Sequence, residues 1–451
     1  MIDVVVVGGG MAGLTVAAEL AARGRRPLVL EASGAVGGLV AAGVVGGLEV
    51  DLGAEAFAVR RGEVADLAAS VGLAVERPAG GSWVWAPDGP VRIPAESLLG
   101  IPADPGAPDV VAALGPDGAA RAARDASLGP EVGADATDLA TLVRTRMGEA
   151  VLARLVGPVA GGVHNADPAD LAVDSVAPGL RGALAAEGSL AAAVRVLRAA
   201  SGPGAAVATT TGGLFRLPRA LAAAVERHGG AVRTASPVTV LRRHGEGWEV
   251  EGSGPAGPFR VQARAVVLAL PERAALPLLA GVVDVGNHVP APGSAITHVT
   301  LVVRAPALDA APRGAGLLVP PGPVRAKALT HATAKWAWLG AAAGPGVHVL
   351  RVSYGRRGEP TDDVDADLAR RDAAALLGVA LAPDDVLDAH VVRRSDVLAA
   401  ATPAHREAVT ALAERAGRAG VHLAGTAVAG TGVAAVVGHA RGLATTLAAP
   451  L

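Results

Sequence analysis

The amino-terminal segment constrains this chain more than any other, because it follows the order of a dinucleotide-binding unit. Residues 3–7 read Asp-Val-Val-Val-Val, a mostly β-branched run typical of a strand buried on both faces of a parallel sheet. Residues 8–13, Gly-Gly-Gly-Met-Ala-Gly, contain G-x-G-x-x-G, and residues 14–23 continue in a helical pattern. Residues 27–30 form a second apolar strand, which Glu31 closes. A lone glycine motif would fit any strand-to-helix turn, but the complete order predicts dinucleotide binding.

Each part of this unit has a physical role. Gly8 permits a tight turn, Gly10 lets the backbone approach a pyrophosphate, and Gly13 lets the helix pack closely on the strand. The helix N-terminus then faces the phosphate charge, and Glu31 lies where an acidic residue binds ribose hydroxyls. The predicted cofactor contacts are Gly8, Gly9, Gly10, Met11, Ala12, Gly13, Glu31 and Ala32.

Composition excludes several other classes of function. With 40 basic and 42 acidic residues the formal charge is -2, so no net field draws the chain to nucleic acid. There is no cysteine, and the 11 histidines lack metal-ligand spacing, so we expect no metal site. No H-E-x-x-H, G-x-S-x-G or P-loop motif identifies a catalytic side chain. No apolar run has the length of a transmembrane helix and no signal peptide is recognisable, so a cytoplasmic protein is expected.

The residues after Glu31 favour FAD over NAD. The glycine motif lies at the first residues of the chain, and residues 32–38, Ala-Ser-Gly-Ala-Val-Gly-Gly, extend the unit. This extension resembles the second, flavin-side glycine pair of the amine-oxidase and phytoene-desaturase superfamily. The resemblance implies cofactor contacts at Gly38 and Leu39, although Leu39 stands where that superfamily usually has a basic residue.

The carboxy-terminal segment repeats the order of strand, glycines and helix. Residues 421–424 are a short apolar strand, and glycines at 425, 430 and 432 precede a helical pattern. Taken alone, this is a plain strand-to-helix turn. In the superfamily that it resembles, this end returns to the flavin. The cofactor contacts implied there are Gly425, Gly432, Val433 and Ala434, and the backbone of Val238 would contact the adenine.

Several internal strings occur in one order along nearly the whole chain. They are Gly53–Phe57, Gly100–Pro105, Pro158–Val163, Ala166–Pro168, Thr211–Leu214 and Ala334–Trp336. This ordered set resembles the oxygen-dependent coproporphyrinogen III oxidase and protoporphyrinogen oxidase family, within the flavin amine-oxidase-like superfamily. The resemblance implies FAD as cofactor, with further contacts at Gly53, Ala54, Glu55 and Ala56.

The fold class expected from these features is α/β, with three parts. A Rossmann-like FAD-binding domain is assembled from the discontinuous residues 1–55, 212–272 and 401–451. A mixed α+β substrate-binding domain comprises residues 56–105 and 273–400. Residues 106–211 form a mostly helical domain, which is membrane-associated in some relatives and gives peripheral membrane contact as an alternative to a wholly cytoplasmic location.

The activity implied by the resemblance is oxidation of coproporphyrinogen III to coproporphyrin III by O2, with release of hydrogen peroxide, in heme biosynthesis. Protoporphyrinogen IX is the alternative substrate. A flavin amine oxidase and a catalytically silent FAD- or porphyrin-binding protein are further alternatives. The implied partners are the porphyrinogen, O2 and a heme-pathway ferrochelatase that receives the product.

The carboxylates of a porphyrinogen require cationic partners, and the planar guanidinium of arginine suits them. Arg60 and Arg61 are the predicted substrate contacts, with a solvated pair at a helix start as the alternative. The further candidates are Lys335, Trp336 and Tyr354. They are singled out because lysine and aromatic residues are rare here, and a plain core role is the alternative for the tryptophan. Arg394 stands where relatives usually have a tryptophan near the flavin.

Overall fold

The computed structural model describes residues 2–59, 62–164, 166–200, 207–322, 324–397 and 402–448. The strands in these ranges are β1 (Ile2–Val7), β2 (Pro27–Leu30), β3 (Ala42–Val45), β4 (Leu48–Asp51), β5 (Phe57–Ala58), β6 (Val75–Glu76), β7 (Trp83–Ala86), β8 (Gly89–Arg92), β9 (Ser97–Leu98), β10 (Ile101–Pro102), β11 (Val207–Thr210), β12 (Ala231–Arg233), β13 (Val238–His244), β14 (Gly247–Gly254), β15 (Gly257–Leu268), β16 (Ser294–Arg304), β17 (Gly316–Leu318), β18 (Ala328–His331), β19 (Val347–Tyr354), β20 (Val386–Val397) and β21 (Val421–Leu423). The helices are α1 (Met11–Ala22), α2 (Glu63–Ser70), α3 (Pro108–Ala123), α4 (Leu139–Met147), α5 (Glu149–Val151), α6 (Gly157–His164), α7 (Val173–Val176), α8 (Leu180–Glu187), α9 (Leu190–Ala200), α10 (Arg216–Arg227), α11 (Glu272–Leu279), α12 (Ala332–Lys335), α13 (Ala337–Ala343), α14 (Ala366–Leu377), α15 (Pro403–Arg418), α16 (Thr426–Ala429) and α17 (Val433–Ala448).

The first sheet gathers strands from both ends and the middle of the chain. Its strand order is β12-β2-β1-β15-β14-β13, and β21 pairs with the end of β15. β1 runs parallel to both of its neighbours, β2 and β15. Val4 and Val6 belong to a core shared with α1 and α17, whereas Val5 and Val7 belong to a core shared with α11 and α15. The β-branched run of β1 is therefore buried on both faces, and each valine contributes about 1.5–3 kcal/mol relative to exposure.

The second sheet has the order β20-β16-β19-β18-β17-β7-β8, and its pairs are antiparallel except for β17 with β7. One face is apolar and packs on α14 through a core that includes Val299, Leu301 and Val352. On the other face, an apolar patch that includes Val302 and Val349 packs on the β3–β4 hairpin. The rest of that face carries polar side chains, which are described below.

The helices α3 to α9 share one core, and a buried ion pair lies at its edge. Arg146 of α4 donates from Nε to Oδ1 of Asp125 at 2.5 Å, and both side chains are 0% exposed. Arg146 also donates to the carbonyl oxygens of Gly129, Val132 and Gly188. The buried charge of Arg146 is tolerated because its guanidinium N–H groups find acceptors within the protein.

The α/β class expected from the sequence is confirmed. β1 and β2 follow the two apolar runs, and helices occupy most of the segment expected to be helical. In the part of the chain that the structure describes, no helix combines the length and the hydropathy that a bilayer crossing requires. The division into three domains with the stated boundaries stays a prediction.

Candidate cofactor and substrate site

The turn between β1 and α1 is closely packed at two of its glycines. Gly8 has φ 105°, a left-handed conformation that favours glycine, and its N–H donates to the carbonyl oxygen of Leu30 at 2.8 Å. A Cβ atom on Gly13 would overlap the carbonyl oxygen of Gly8 and lie 3.0 Å from Cγ1 of Val6. α1 therefore packs on β1 at a separation that excludes a larger side chain at position 13.

Gly10 differs from these glycines because the space beside it is open. A Cβ atom there would meet nothing closer than the oxygen of Gly37 and Cα of Gly38, both at 4.0 Å. The φ of Gly10 is -78°, which any residue adopts. The N–H groups of Met11 and Ala12 lie in the first turn of α1, where a helix offers them no acceptor. Gly10, which precedes them, supplies no side-chain cap either. Open space beside unpaired N–H groups suits a pyrophosphate.

Glu31 closes the turn from the end of β2. Its Oε2 accepts a hydrogen bond from the N–H of Gly9 at 2.6 Å, and its Oε1 accepts from the N–H of Ser33 at 2.8 Å. The carbonyl oxygen of Glu31 accepts from the N–H of Ser236 at 2.8 Å. Val238, the first residue of β13, follows shortly after Ser236. The structure thus brings the residues just before Val238 alongside Glu31. The predicted ribose contact at Glu31 and the predicted adenine contact at Val238 require this proximity.

The second glycine pair continues this backbone surface. The N–H of Gly37 donates to the carbonyl oxygen of Gly9 at 2.9 Å, which joins the extension to the first turn. The N–H of Ala54 donates to the carbonyl oxygen of Leu39 at 2.9 Å, and a Cβ atom on Gly53 would overlap that same oxygen. The side chain of Leu39 is 46% exposed, so it does not belong to the core.

The carboxy-terminal segment returns to the same side of the first sheet. The N–H of Ala424 donates to the carbonyl oxygen of Leu268 at 3.0 Å, which places Gly425 beyond the end of β15. α17 begins after Gly432 and packs on α1. Val433 and Ala434 are partly buried against the core that includes residues of α1. The two distant ends of the chain therefore meet, as expected from the glycine motifs.

These features fit FAD on the evidence of the protein's own atoms. The open space beside Gly10 and the uncapped start of α1 would receive a pyrophosphate, and the ribose contact at Glu31 stays a prediction. The flavin-side contacts at residues 38–39, 53–56 and 425–434 stay predictions.

Asp51 connects this surface to α10. Its Oδ1 accepts a hydrogen bond from the N–H of Phe215 at 2.8 Å, and its Oδ2 accepts from the N–H of Leu214 at 3.0 Å. Burial raises the pKa of Asp51 to about 7 in spite of these two hydrogen bonds, and the charge of Glu55 raises it while that of Arg351 lowers it. Asp51 therefore binds a proton more tightly in the folded protein than in the unfolded chain.

The tighter binding of a proton by folded Asp51 makes the stability of the protein depend on pH. The Asp51→Asn variant is expected to lose this dependence. Because the pKa of Asp51 is higher in the folded protein than in the unfolded chain, its contribution to the free energy of unfolding is greatest at low pH. This contribution falls as the pH rises from about 4 to about 7. The free energy of unfolding of the variant should therefore gain about 3 kcal/mol on that of the wild type between pH 4.5 and 8. Chemical denaturation at several pH values measures this difference. If the free energies of unfolding of the two proteins changed with pH in parallel, the raised pKa of Asp51 would be contradicted.

An ion cluster links residue 55 to the second sheet. Oε1 of Glu55 lies 2.5 Å from Nζ of Lys335, and Oε2 lies 3.1 Å from a terminal nitrogen of Arg351. Burial opposes ionisation, but Arg351 and Lys335 together lower the pKa of Glu55 to about 2. Arg351 also donates to the carbonyl oxygen of Gly53 at 2.7 Å. The side chain of Glu55 thus ties the segment after β4 to α12 and β19, which leaves its backbone for the predicted cofactor contact.

His298 and Arg394 lie on the same face of the second sheet as Arg351, and Lys327, just before β18, is close enough for its charge to act on His298. We call these four residues, His298, Lys327, Arg351 and Arg394, the cationic edge. His298 pairs with Ser353 across β16 and β19, and Arg394 pairs with Ile296 across β20 and β16. A terminal nitrogen of Arg394 would lie 3.4 Å from a Cβ atom on Gly53, so the guanidinium borders the predicted flavin-side surface. Burial lowers its pKa, yet within the described residues its Nε has no hydrogen-bond partner.

The electrostatics of the cationic edge favour an anionic ligand. Burial and the positive charges of Arg351, Lys327 and Arg394 lower the pKa of His298 to about 3. Burial and the charge of Arg356 lower the pKa of Lys327 to about 8, and its Nζ donates to the carbonyl oxygen of Gly355 at 3.0 Å. His298 is therefore neutral near pH 7, and the three positive charges that lower its pKa make this edge a favourable place for an anion.

The geometry corrects two of the predicted substrate contacts. Trp336 is 2% exposed and packs among Val45, Val50 and Leu52, so it belongs to the core beneath the hairpin. Tyr354 is 1% exposed on the face of the second sheet that packs on α14, where its hydroxyl donates to Asp372 at 3.1 Å. Neither ring borders a substrate space. In both cases the rarity of aromatic residues was misleading, because rarity does not distinguish a core position from a binding position.

The other predicted substrate contacts have different outcomes. Lys335 ends α12, with its Nζ on Glu55 and 5.0 Å from the ring centre of Trp336. Arg60 and Arg61 lie outside the described residues. Sequence analysis missed His298, Lys327 and Arg351, although polar residues alternating with apolar ones in β16 and β19 mark a face that is not core.

Known proteins resemble this chain over nearly its whole length. The family described as flavin containing amine oxidoreductase matches residues 11–446. A coproporphyrinogen III oxidase of Mycobacterium leprae is 30% identical over 96% of each chain. One of Mycobacterium bovis is 32% identical over 96% of this chain and 95% of its own. A protein of Exiguobacterium sp. 255-15, provisionally named a protoporphyrinogen oxidase, has a crystal structure that superposes with a TM-score of 0.80 at 23% identity over 99% of this chain and 98% of its own.

Proposed function

Because this chain belongs to the family of flavin containing amine oxidoreductases, we propose that it is an FAD-dependent oxidase of a porphyrinogen, and that the porphyrinogen is coproporphyrinogen III. The curated relatives that match it over nearly their whole length are named for that activity. The observation that carries the proposal is the partly buried guanidinium of Arg394 beside Gly53, whose Nε has no hydrogen-bond partner among the described residues. A cation in such a place is costly unless an anion meets it, and a substrate carboxylate would do so.

The charge balance of the site supports a substrate with several carboxylates. Arg351 and Lys335 share Glu55, whereas Arg394 has no carboxylate within ion-pair distance among the described residues. Coproporphyrinogen III carries four propionates and protoporphyrinogen IX carries two. A guanidinium at Arg394 that no described carboxylate neutralises therefore favours the substrate with more carboxylates.

The hard chemistry belongs to the cofactor. Bound FAD supplies two-electron oxidation with reoxidation by O2, so three cycles convert coproporphyrinogen III and three O2 into coproporphyrin III and three H2O2, which balances the six hydrogens lost. No strong general base is required of the protein, because aromatisation of the macrocycle drives the loss of hydrogen.

The protein's residues position the reactants. The turn at Gly10 and the start of α1 would hold the cofactor's phosphates, and Glu31 would hold a ribose. Arg394 and Lys327 bind substrate carboxylates, which orients the macrocycle against the flavin-side surface. His298, neutral near pH 7 and hydrogen-bonded to Ser353 at 2.9 Å, adds a polar contact without adding charge. The cytoplasmic location and transfer of the product to a ferrochelatase are parts of the same proposal.

The Arg394→Leu variant is expected to raise KM for coproporphyrinogen about 10–100-fold and to change kcat less than about threefold. Hydrogen bonds to charged groups contribute about 1.5–3 kcal/mol, and a contact held equally in ground and transition states acts on KM. Steady-state porphyrin fluorescence measures both constants. The matched control is Arg393→Leu, because Arg393 is exposed on the same strand and donates to the carbonyl oxygen of Val364 on the opposite face. Loss of bound FAD with an unchanged KM would instead assign Arg394 to the cofactor.

The function itself is tested by comparing substrates at equal concentration in air. The proposal predicts formation of fluorescent porphyrin from coproporphyrinogen III at a higher kcat/KM than from protoporphyrinogen IX. A preference for protoporphyrinogen IX would overturn the choice of substrate. Turnover of amines alone would indicate an amine oxidase, and bound FAD without turnover of any of these compounds would indicate a silent binding protein.

A further inference from the structure

A second cluster of titratable side chains lies beyond the end of β15, outside the cationic edge. Glu272 is the first residue of α11, His288 lies between α11 and β16, and His405 lies in the first turn of α15. Their potential ligand atoms all lie within 4.8 Å of one another. The cofactor and substrate assignments above use none of these residues.

Both imidazoles approach the same carboxylate through the same ring nitrogen. Nε2 of His288 contacts Oε1 of Glu272, and Nε2 of His405 lies 3.2 Å from Oε2 of Glu272. The ring centres are 5.4 Å apart with the planes tilted by 40°. We infer that Glu272, His288 and His405 form a binding site for a divalent transition-metal ion such as Zn²⁺.

The donor set fits this class of ion. Imidazole nitrogen and carboxylate oxygen are ligands of Zn²⁺ at about 2.0–2.2 Å, and two histidines with one glutamate leave a fourth tetrahedral position for water. The side chains of Glu272, His288 and His405 are 15%, 7% and 16% exposed. They are sheltered enough to hold an ion in one geometry, and they remain open to its entry from solvent.

Two neutral imidazoles donating N–H groups to one carboxylate would give a similar arrangement without an ion. The two cases differ in metal affinity, because a hydrogen-bonded trio has no reason to bind Zn²⁺ better than scattered surface histidines do. A metal titration therefore distinguishes them directly.

The site's ligands are far apart in sequence, which explains why no metal motif is visible. Glu272 is 16 residues from His288 and 133 residues from His405. An ion bound here would tie the start of α11 to the start of α15, and α15 packs on β21 and α16 next to Gly425. Cross-links that close long loops gain the most from chain entropy. The ion would therefore stabilise the carboxy-terminal return of the chain, without a part in the oxidation.

The test uses the chelator-treated, FAD-loaded full-length protein and Zn²⁺. Titration calorimetry is expected to show one site per chain with a Kd of about 1 μM or tighter, and Zn²⁺ should raise the melting temperature. X-ray absorption at the zinc edge should show two imidazole ligands. Fewer than half a site per chain, or a zinc spectrum without imidazole, would overturn the inference.

Variants locate the ion. His405→Gln and His288→Gln are each expected to weaken Zn²⁺ binding at least about 100-fold and to abolish the rise in melting temperature, since each removes a ligand. The matched control is His228→Gln, because His228 is exposed at the end of α10 and lies outside the cluster. Equal Zn²⁺ affinity in the wild type and in either folded cluster variant would contradict the inference. None of these readouts depends on porphyrinogen turnover, so the metal site and the proposed function fail or stand separately.

Discussion

The Gly10→Ala variant is expected to bind FAD about 100-fold more weakly than the wild type while its apoprotein remains as stable. Within the protein, a Cβ atom on Gly10 meets nothing closer than 4.0 Å, and the backbone there is allowed for alanine. The added methyl group would instead occupy the space proposed for the pyrophosphate. A 100-fold loss corresponds to about 2.7 kcal/mol of binding free energy. Flavin fluorescence titration measures the affinity, and thermal unfolding measures the stability.

Two other glycine variants make this result specific. Gly34→Ala is the matched control, because a Cβ atom on Gly34 also has no neighbour within 4 Å and should leave FAD affinity unchanged. Gly13→Ala should lower the stability of the apoprotein itself, since its Cβ atom would overlap the oxygen of Gly8. If Gly10→Ala retained wild-type affinity for FAD, the pyrophosphate could not lie at this turn.

Replacing Arg146 with methionine is expected to lower the free energy of unfolding by about 3–5 kcal/mol. The change leaves Asp125 buried, and of its contacts described here only the hydrogen bond from the N–H of Ala191 at 2.9 Å remains. It also removes the donors for the carbonyl oxygens of Gly129, Val132 and Gly188. Unpaired buried polar groups carry their full desolvation cost. Urea denaturation followed by circular dichroism measures the loss.

The control for this prediction is Arg144→Met on the same helix. Arg144 pairs with Glu149, but the two side chains are 54% and 65% exposed, so the variant should change stability by less than about 0.5 kcal/mol. The double variant Arg146→Met, Asp125→Leu should be more stable than Arg146→Met alone, because no unpaired charge remains. Similar losses of unfolding free energy for Arg144→Met and Arg146→Met would contradict the prediction. They would mean that breaking a buried ion pair costs no more than breaking an exposed one.

The cofactor side of this protein could be predicted from sequence because its signals are local. The run before Gly8, the glycine spacing and Glu31 lie within one βαβ unit, whose geometry follows from strand and helix sterics alone. The meeting of the two chain ends needed more than local pattern, since a strand followed by glycines occurs in many folds. The prediction that the two ends meet required the carboxy-terminal glycines to be interpreted together with the amino-terminal motif.

The substrate side that we propose could not be predicted in the same way, because it depends on register across the second sheet. His298, Arg351 and Arg394 come from three strands, and only their pairing places them on one face. Trp336 and Tyr354 show the converse error, since both lie in cores. The cluster at Glu272 depends in the same way on contacts between residues far apart in sequence, and the expectation of no metal rested on spacing alone.

The most direct measurement is anaerobic mixing of the FAD-loaded protein with coproporphyrinogen III. Loss of the visible absorbance of oxidised flavin, and its return with porphyrin fluorescence when O2 is admitted, is the predicted result. Oxidised flavin that keeps its full absorbance in the presence of excess coproporphyrinogen would contradict the proposal that this protein oxidises it.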